Sequence, residues 1–120
     1  MRYVQLGKTD MKVSTIAFGA YAISGRPGEE PPSDDDAFEA IAAAFEEGVN
    51  FFVAADSEGD GLGERRLGSA LTEVRDHVFL ATKTGVENQP PRELGLAIEK
   101  SLVNFGRSEE HTSELQSRQS

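Results

Sequence analysis

Residues 48 to 71, GVNFFVAADSEGDGLGERRLGSAL, decide how this chain is read. The opening, Val49 to Ala55 (VNFFVAA), is apolar almost throughout and does not alternate, the pattern of a parallel strand covered on both faces. A polar, glycine-rich connection follows. From Glu64 to Val74 the residues Leu67, Ala70, Leu71 and Val74 return to one side, which predicts a helix. Strand, loop and helix in that order make one βα unit, and the chain on either side repeats it.

Upstream, Tyr3 to Leu6 and Met11 to Val13 flank the turn-rich Gly7-Lys8-Thr9-Asp10, predicting a short hairpin. Ser14 to Gly19 (STIAFG) predicts a short apolar strand. After the Gly- and Pro-rich segment Ser24 to Pro32, Ser33 is placed to cap a helix whose first turn holds Asp34, Asp35 and Asp36, acids that suit the positive end of a helix dipole. Phe38, Ile41, Ala42 and Phe45 then form one apolar stripe, and Gly48 stands where a C-terminal stop belongs. Downstream, Val78 to Thr82 (VFLAT) repeats the buried-strand pattern and Lys83 closes it. Pro90-Pro91 opens a third helix with Leu94, Ile98, Leu102 and Phe105 on one face and Gly106 as its cap, while Gly95 costs that helix about 1 kcal/mol relative to alanine. Successive strand-then-helix units argue for a parallel α/β architecture with right-handed crossovers. Periodicity alone does not separate a doubly wound sheet from an eight-fold barrel.

Three motifs in order, KVSTIAFGAYAI after a hairpin, GVNFFVAADSEGDGLGERRLGSAL and VFLATKTG, resemble the aldo-keto reductase family. The likeness spans nearly all of residues 1 to 106. It implies an α/β fold: an N-terminal hairpin plus the first three βα units of an incomplete (β/α)8 TIM barrel. It also implies hydride transfer from NADPH to a small carbonyl substrate, with a tyrosine giving the proton, a lysine and an aspartate tuning it, and a histidine on the next strand. Carried onto this chain, the lysine position is Lys83, a match. The aspartate position is Val53 and the tyrosine position is Glu58, both departures. A phenol near pKa ~10 holds a proton at neutral pH and gives it up in the transition state, whereas an ionised glutamate has none to give. The resemblance further implies that Gly19, Ala20 and Tyr21 line the nicotinamide pocket, with most of the grip on the adenosine phosphate coming from later segments. Inactivity as a reductase is therefore expected, and the alternative is a noncatalytic barrel acting as a binding or regulatory subunit. Glu58 is expected to pair with Lys83, replacing the anion that Val53 removes.

Other features carry less. The net charge of −9 becomes −8 when residues 107 to 120 are set aside, leaving 10 Lys and Arg against 18 Asp and Glu, and no basic cluster stands out. Nucleic acid and anionic membrane are poor partners for such a chain. With no cysteine there is no thiolate chemistry, and no segment approaches the ~20 apolar residues of a membrane span, so a cytoplasmic protein is expected. Arg65 and Arg66 are expected on a solvated helix face, and His77 in an exposed loop without a metal partner. Asp56 to Gly61 has the acid spacing of half a calcium loop, but Leu67 falls where a bidentate glutamate is required. Arg107 to Ser117, RSEEHTSELQS, is similar to the in-frame translation of a common short-read sequencing adapter; residues 1 to 106 are read as the partial barrel and residues 107 to 120 as an artefactual or disordered tail, with His111 excluded with it. Three strands do not close a barrel, so Phe51, Val53 and Phe79 are expected to face nothing, the last strand to keep an open edge, and the chain alone to be marginally stable.

Overall fold

The computed structural model describes residues 1 to 25, 28 to 84, 91 to 106 and 116 to 117. A hairpin of β1 (Tyr3–Gln5) and β2 (Lys12–Ser14) is antiparallel, with Val4 opposite Val13. The parallel sheet follows in sequence order: β3 (Phe18–Gly19), β4 (Phe51–Ala55), β5 (Phe79–Thr84) and the two-residue β6 (Gln116–Ser117). The helices are α1 (Asp34–Glu46), α2 (Leu62–Ala70) and α3 (Pro91–Phe105).

The hairpin is fastened to the start of the sheet by Asn50. Its Oδ1 accepts from the Ser14 amide at 2.7 Å, its Nδ2 donates to the Lys12 carbonyl at 3.0 Å, and its own amide donates to Ser14 Oγ at 3.1 Å. Tyr3 adds a hydroxyl donated to the Gly48 carbonyl at 2.7 Å. Asn50→Ala removes two of these bonds and leaves the partly buried Ser14 amide without its acceptor. A loss of about 2 kcal/mol is expected. It should show as a lower urea midpoint, with faster amide exchange at Thr15, whose N–H reaches back to Arg2.

The expected strand over Ser14 to Gly19 is shorter than its apolar content suggested. Ser14 stays in the hairpin, its hydroxyl donates to the Ile16 carbonyl at 2.7 Å and bends the chain, and only Phe18 and Gly19 pair with β4, opposite Phe52 and Val53. Ser33 caps α1 as expected, accepting from the Asp36 amide at 3.2 Å. The buried face of α1 is Ala37, Ile41, Ala44 and Phe45, with Phe38 exposed (38 %) and Ala42 also outside, so the apolar stripe begins one residue earlier than predicted. Small Ala37 is turned into the core, and the element that α1 packs against is α2. Helix α2 stops at Ala70 and not at Val74: the Thr72 hydroxyl donates to the carbonyls of Gly68 and Ser69, and a 3-10 turn over Thr72–His77 takes over. On α3, Leu102 and Phe105 are buried and Ile98 is partly so; the side chain of Leu94 lies outside the described residues.

The core lies between the helices and one face of the sheet, built from Phe52, Ala54 and Leu80 of the strands and Ile41, Leu67, Leu71 and Phe105 of the helical layer. Burial along β4 alternates, with Phe52 and Ala54 buried and Phe51, Val53 and Ala55 only partly covered. On β5, Leu80 and Thr82 are buried while Phe79 and Ala81 are half-covered. The residues expected to lack a facing layer are thus the ones left half open. The free edge of β5 is covered in part, since Gln116 and Ser117 run parallel to Lys83 and Thr84. No described helix is long and apolar enough to cross a membrane.

Candidate functional site

The candidate site lies where β3, β4 and β5 end. Paired residues in a parallel ladder point to the same side. Val53 is opposite both Gly19 and Ala81, and Ala55 is opposite Lys83, so Val53 and Lys83 share the inner face as diagonal neighbours. The sequence-predicted trio Val53, Glu58 and Lys83 is therefore brought to one end of the sheet.

Glu58 does not pair with Lys83. Strand β3 ends opposite Val53, so the Ala55 amide, directed to that side of β4, has no strand left to bond. The Glu58 carboxylate supplies the acceptor at 3.0 Å. On the other side the ladder continues one step further, the Asp56 amide donating to the Lys83 carbonyl at 3.1 Å. Lys83 itself is exposed, so Val53 in place of an acid leaves no buried ammonium uncompensated.

Between the strand and α2, the loop over Glu58–Gly61 is folded tightly onto the turn that follows β3. Gly59, at φ 57°, passes so close to the Ser24 carbonyl that a side chain there would collide with backbone, while one at Gly63 would run into the side chains of Ser24 and Ala20. Arg66 completes the junction. It was expected in solvent, but it is 7 % exposed, donates Nη1 to the Ile23 carbonyl at 2.8 Å and holds Asp34 Oδ1 at 3.1 Å. Its position was legible: Gly63, Arg66, Leu67 and Ala70 share one helical stripe. Arg65 is exposed and caps the loop through the Asp60 carbonyl at 3.1 Å.

Of Gly19, Ala20 and Tyr21, Ala20 is fully buried in the core, while Gly19 and Tyr21 (47 % exposed) are on the surface beside β4. A ring can approach Gly19, where an added Cβ would meet nothing within 4 Å. The phosphate end of a dinucleotide is not served in the same way: Arg65 is turned to the Asp60 carbonyl and Arg66 is buried against Asp34. Among the described residues, Gly19 and Tyr21 are thus open to solvent, and Arg65 and Arg66 are engaged within the chain. No three metal-ligating side chains cluster among the described residues, and the Asp60 carboxylate lies 3.7 Å from Lys100. His77 is exposed.

Two functional-grade side chains escaped the sequence reading. Glu64 is fully buried, and Asn50 organises the opposite end of the sheet. Glu64 falls in phase with Leu67, Gly68 and Leu71, and that phase was its signal.

A family model for the aldo/keto reductase family matches residues 15–111, running into the stretch set aside at Arg107. L-galactose dehydrogenase of Arabidopsis thaliana is 37 % identical over 83 residues, covering 67 % of this chain and 25 % of the relative. A probable voltage-gated potassium channel subunit beta, also from Arabidopsis thaliana, is 31 % identical over 100 residues, covering 81 % and 29 %. The chain thus spans between a quarter and a third of the length of these curated relatives. Among solved structures, a thermostable aldo-keto reductase in complex with the inhibitor epalrestat superposes with a TM-score of 0.78 at 22 % identity, over 89 % of this chain and 39 % of that one. An aldo-keto reductase from Klebsiella pneumoniae in complex with NADPH gives 0.67 at 22 % identity, over 80 % and 32 %. The sheet that positions Val53, Glu58 and Lys83 is thus the first part of a known barrel, and the chain belongs to the aldo/keto reductase family.

Proposed function

We propose that this chain forms the first three βα units of an NADPH-linked barrel that does not reduce carbonyls by proton donation from a tyrosine. What supports this reading is the Glu58 carboxylate: at the position that the resemblance assigns to the tyrosine it accepts from the Ala55 amide at 3.0 Å, and Val53 on β4 takes the position that the resemblance assigns to the acid. The small carbonyl compounds that the family acts on would be met at the ends of the strands, where barrel enzymes hold their chemistry. Residues 107 to 120 stay outside this reading, which rests on their order of residues; a long read of the source DNA through codon 106 tests it. In a full-length barrel carrying these residues, NADPH oxidation with small aldehydes should stay at background. Val53→Asp with Glu58→Tyr should raise turnover by about a hundredfold or more, the usual worth of a positioned acid. Turnover already high with Val53 and Glu58 in place would overturn the proposal.

A second reading is favoured by the potassium channel subunit relative: a barrel kept for binding or regulation. It is distinguished by a full-length Val53→Asp/Glu58→Tyr barrel that still binds NADPH, read by fluorescence, yet gains no turnover. Both readings take the protein to be cytoplasmic, which localisation of a tagged full-length barrel would check.

A further inference from the structure

Glu64 is the fully buried acid among the described residues, 0 % exposed, and its partners are neutral. Thr82 Oγ donates to Oε2 at 2.7 Å and Asn104 Nδ2 donates to Oε1 at 3.0 Å. A buried carboxylate is tolerated only when such donors reach it. As the third residue of α2 it also sits at the positive end of the helix dipole. A glutamate there ordinarily turns back to the amide at the start of its own helix. Glu64 reaches forward instead, one oxygen to the sheet and one to α3.

The helix it starts from is firmly seated. Gly63 abuts Ala20 and Ser24, and Arg66 grips the Ile23 carbonyl and Asp34. What it holds is the residue before Lys83. Along β5, Thr82 points into the helical layer and Lys83 to the opposite face, so a grip on Thr82 sets the strand from behind. In front, the strand is held by the Asp56 amide on the Lys83 carbonyl.

We propose that Glu64 is a positioning residue for Lys83: by anchoring Thr82 to α2 it sets where the lysine stands relative to Val53 and the Glu58 loop. This rests on the reading of Lys83 as the retained site lysine. The test uses the 120-residue chain with limiting amine acylation and mass spectrometry, taking the labelling of Lys83 relative to Lys8, an exposed lysine in the hairpin turn, within the same molecules. Thr82→Val, which cuts the arm to β5, is expected to change that ratio by about threefold or more, since amine reactivity follows local surroundings. Thr82→Ser should restore it. Asn104→Ala, which cuts only the arm to α3, should leave it unchanged. An unchanged ratio in a Thr82→Val chain with native far-UV dichroism overturns the proposal, as does an equal shift in Asn104→Ala, the mark of general loosening. If Thr82→Val does not fold, Glu64→Asp decides: it keeps the carboxyl group and shortens the arm, and a shifted ratio supports the proposal where an unshifted one defeats it. The ratio needs no turnover, so its failure is separate from a failure of the Val53→Asp/Glu58→Tyr barrel to gain activity.

Discussion

Phe52→Ala should take away a large part of the chain's stability, while Phe51→Ala, one residue away, should barely move it. Phe52 is wholly buried, stacks at a tilt against Phe18 with ring centroids 5.7 Å apart, and faces the helical layer. Deleting such a ring costs about 3 to 5 kcal/mol, against the 5 to 15 kcal/mol that a whole domain commands. Phe51 is on the other face of β4, half-covered, where truncation removes little that is packed. A difference below about 1 kcal/mol between the two variants, from urea midpoints, would mean that the inner face is covered after all. In a full-length barrel the contrast should shrink, because Phe51 would then join the layered interior that closed barrels build from alternate strands.

Gly68→Ala should also destabilise, against the ordinary rule for helices. Within a helix that change usually gains about 1 kcal/mol. Here a Cβ on Gly68 would lie 2.6 Å from the Phe105 carbonyl oxygen and 2.9 Å from its Cα, all of it backbone and none of it a side chain able to swing away. Phe105 is further fixed because its carbonyl accepts from the Arg75 guanidinium. Helix α3 would have to retreat from α2, at a cost of about 1 to 3 kcal/mol. Gly95→Ala is the control: its added methyl meets nothing within 4 Å, and a gain of about 1 kcal/mol is expected from the same urea titration. Equal and opposite effects at the two glycines would establish the α2–α3 contact; two gains would refute it.

Much of this architecture was legible because its signals are local. Ser33 and the three aspartates after it mark a helix start, and the apolar runs around Phe52 and Leu80 mark strands whatever lies beside them. What was misread depends on how elements end and meet. The stripe of α1 fits Phe38 or Ala37 as its first member, and only the way the helix is turned onto the core chooses alanine. Arg66 carries a charge, so it was assigned to solvent; its burial depends on the Ile23 carbonyl, which is 43 residues away. The Glu58 pairing failed for a subtler reason. Opposite charges at adjacent strand ends suggested an ion pair, but the earlier end of β3 left a backbone amide bare, and the Glu58 carboxylate accepts from that amide. At the site, the strands that carry Val53 and Lys83 were legible from their apolar runs, while Glu64 had only its helical phase as a signal and Asn50 acts on a hairpin more than 30 residues away.

The sheet is ordered β3, β4, β5 as the chain is ordered, and the hairpin is locked only once Asn50 has been made. Each new strand of the sheet therefore finds an edge already synthesised to pair with, while the hairpin waits for Asn50. At about 5 to 20 residues per second, a new βα unit would add to a finished surface every few seconds. Such a molecule can assemble in the direction of synthesis, with its most recent strand serving each time as the template for the next.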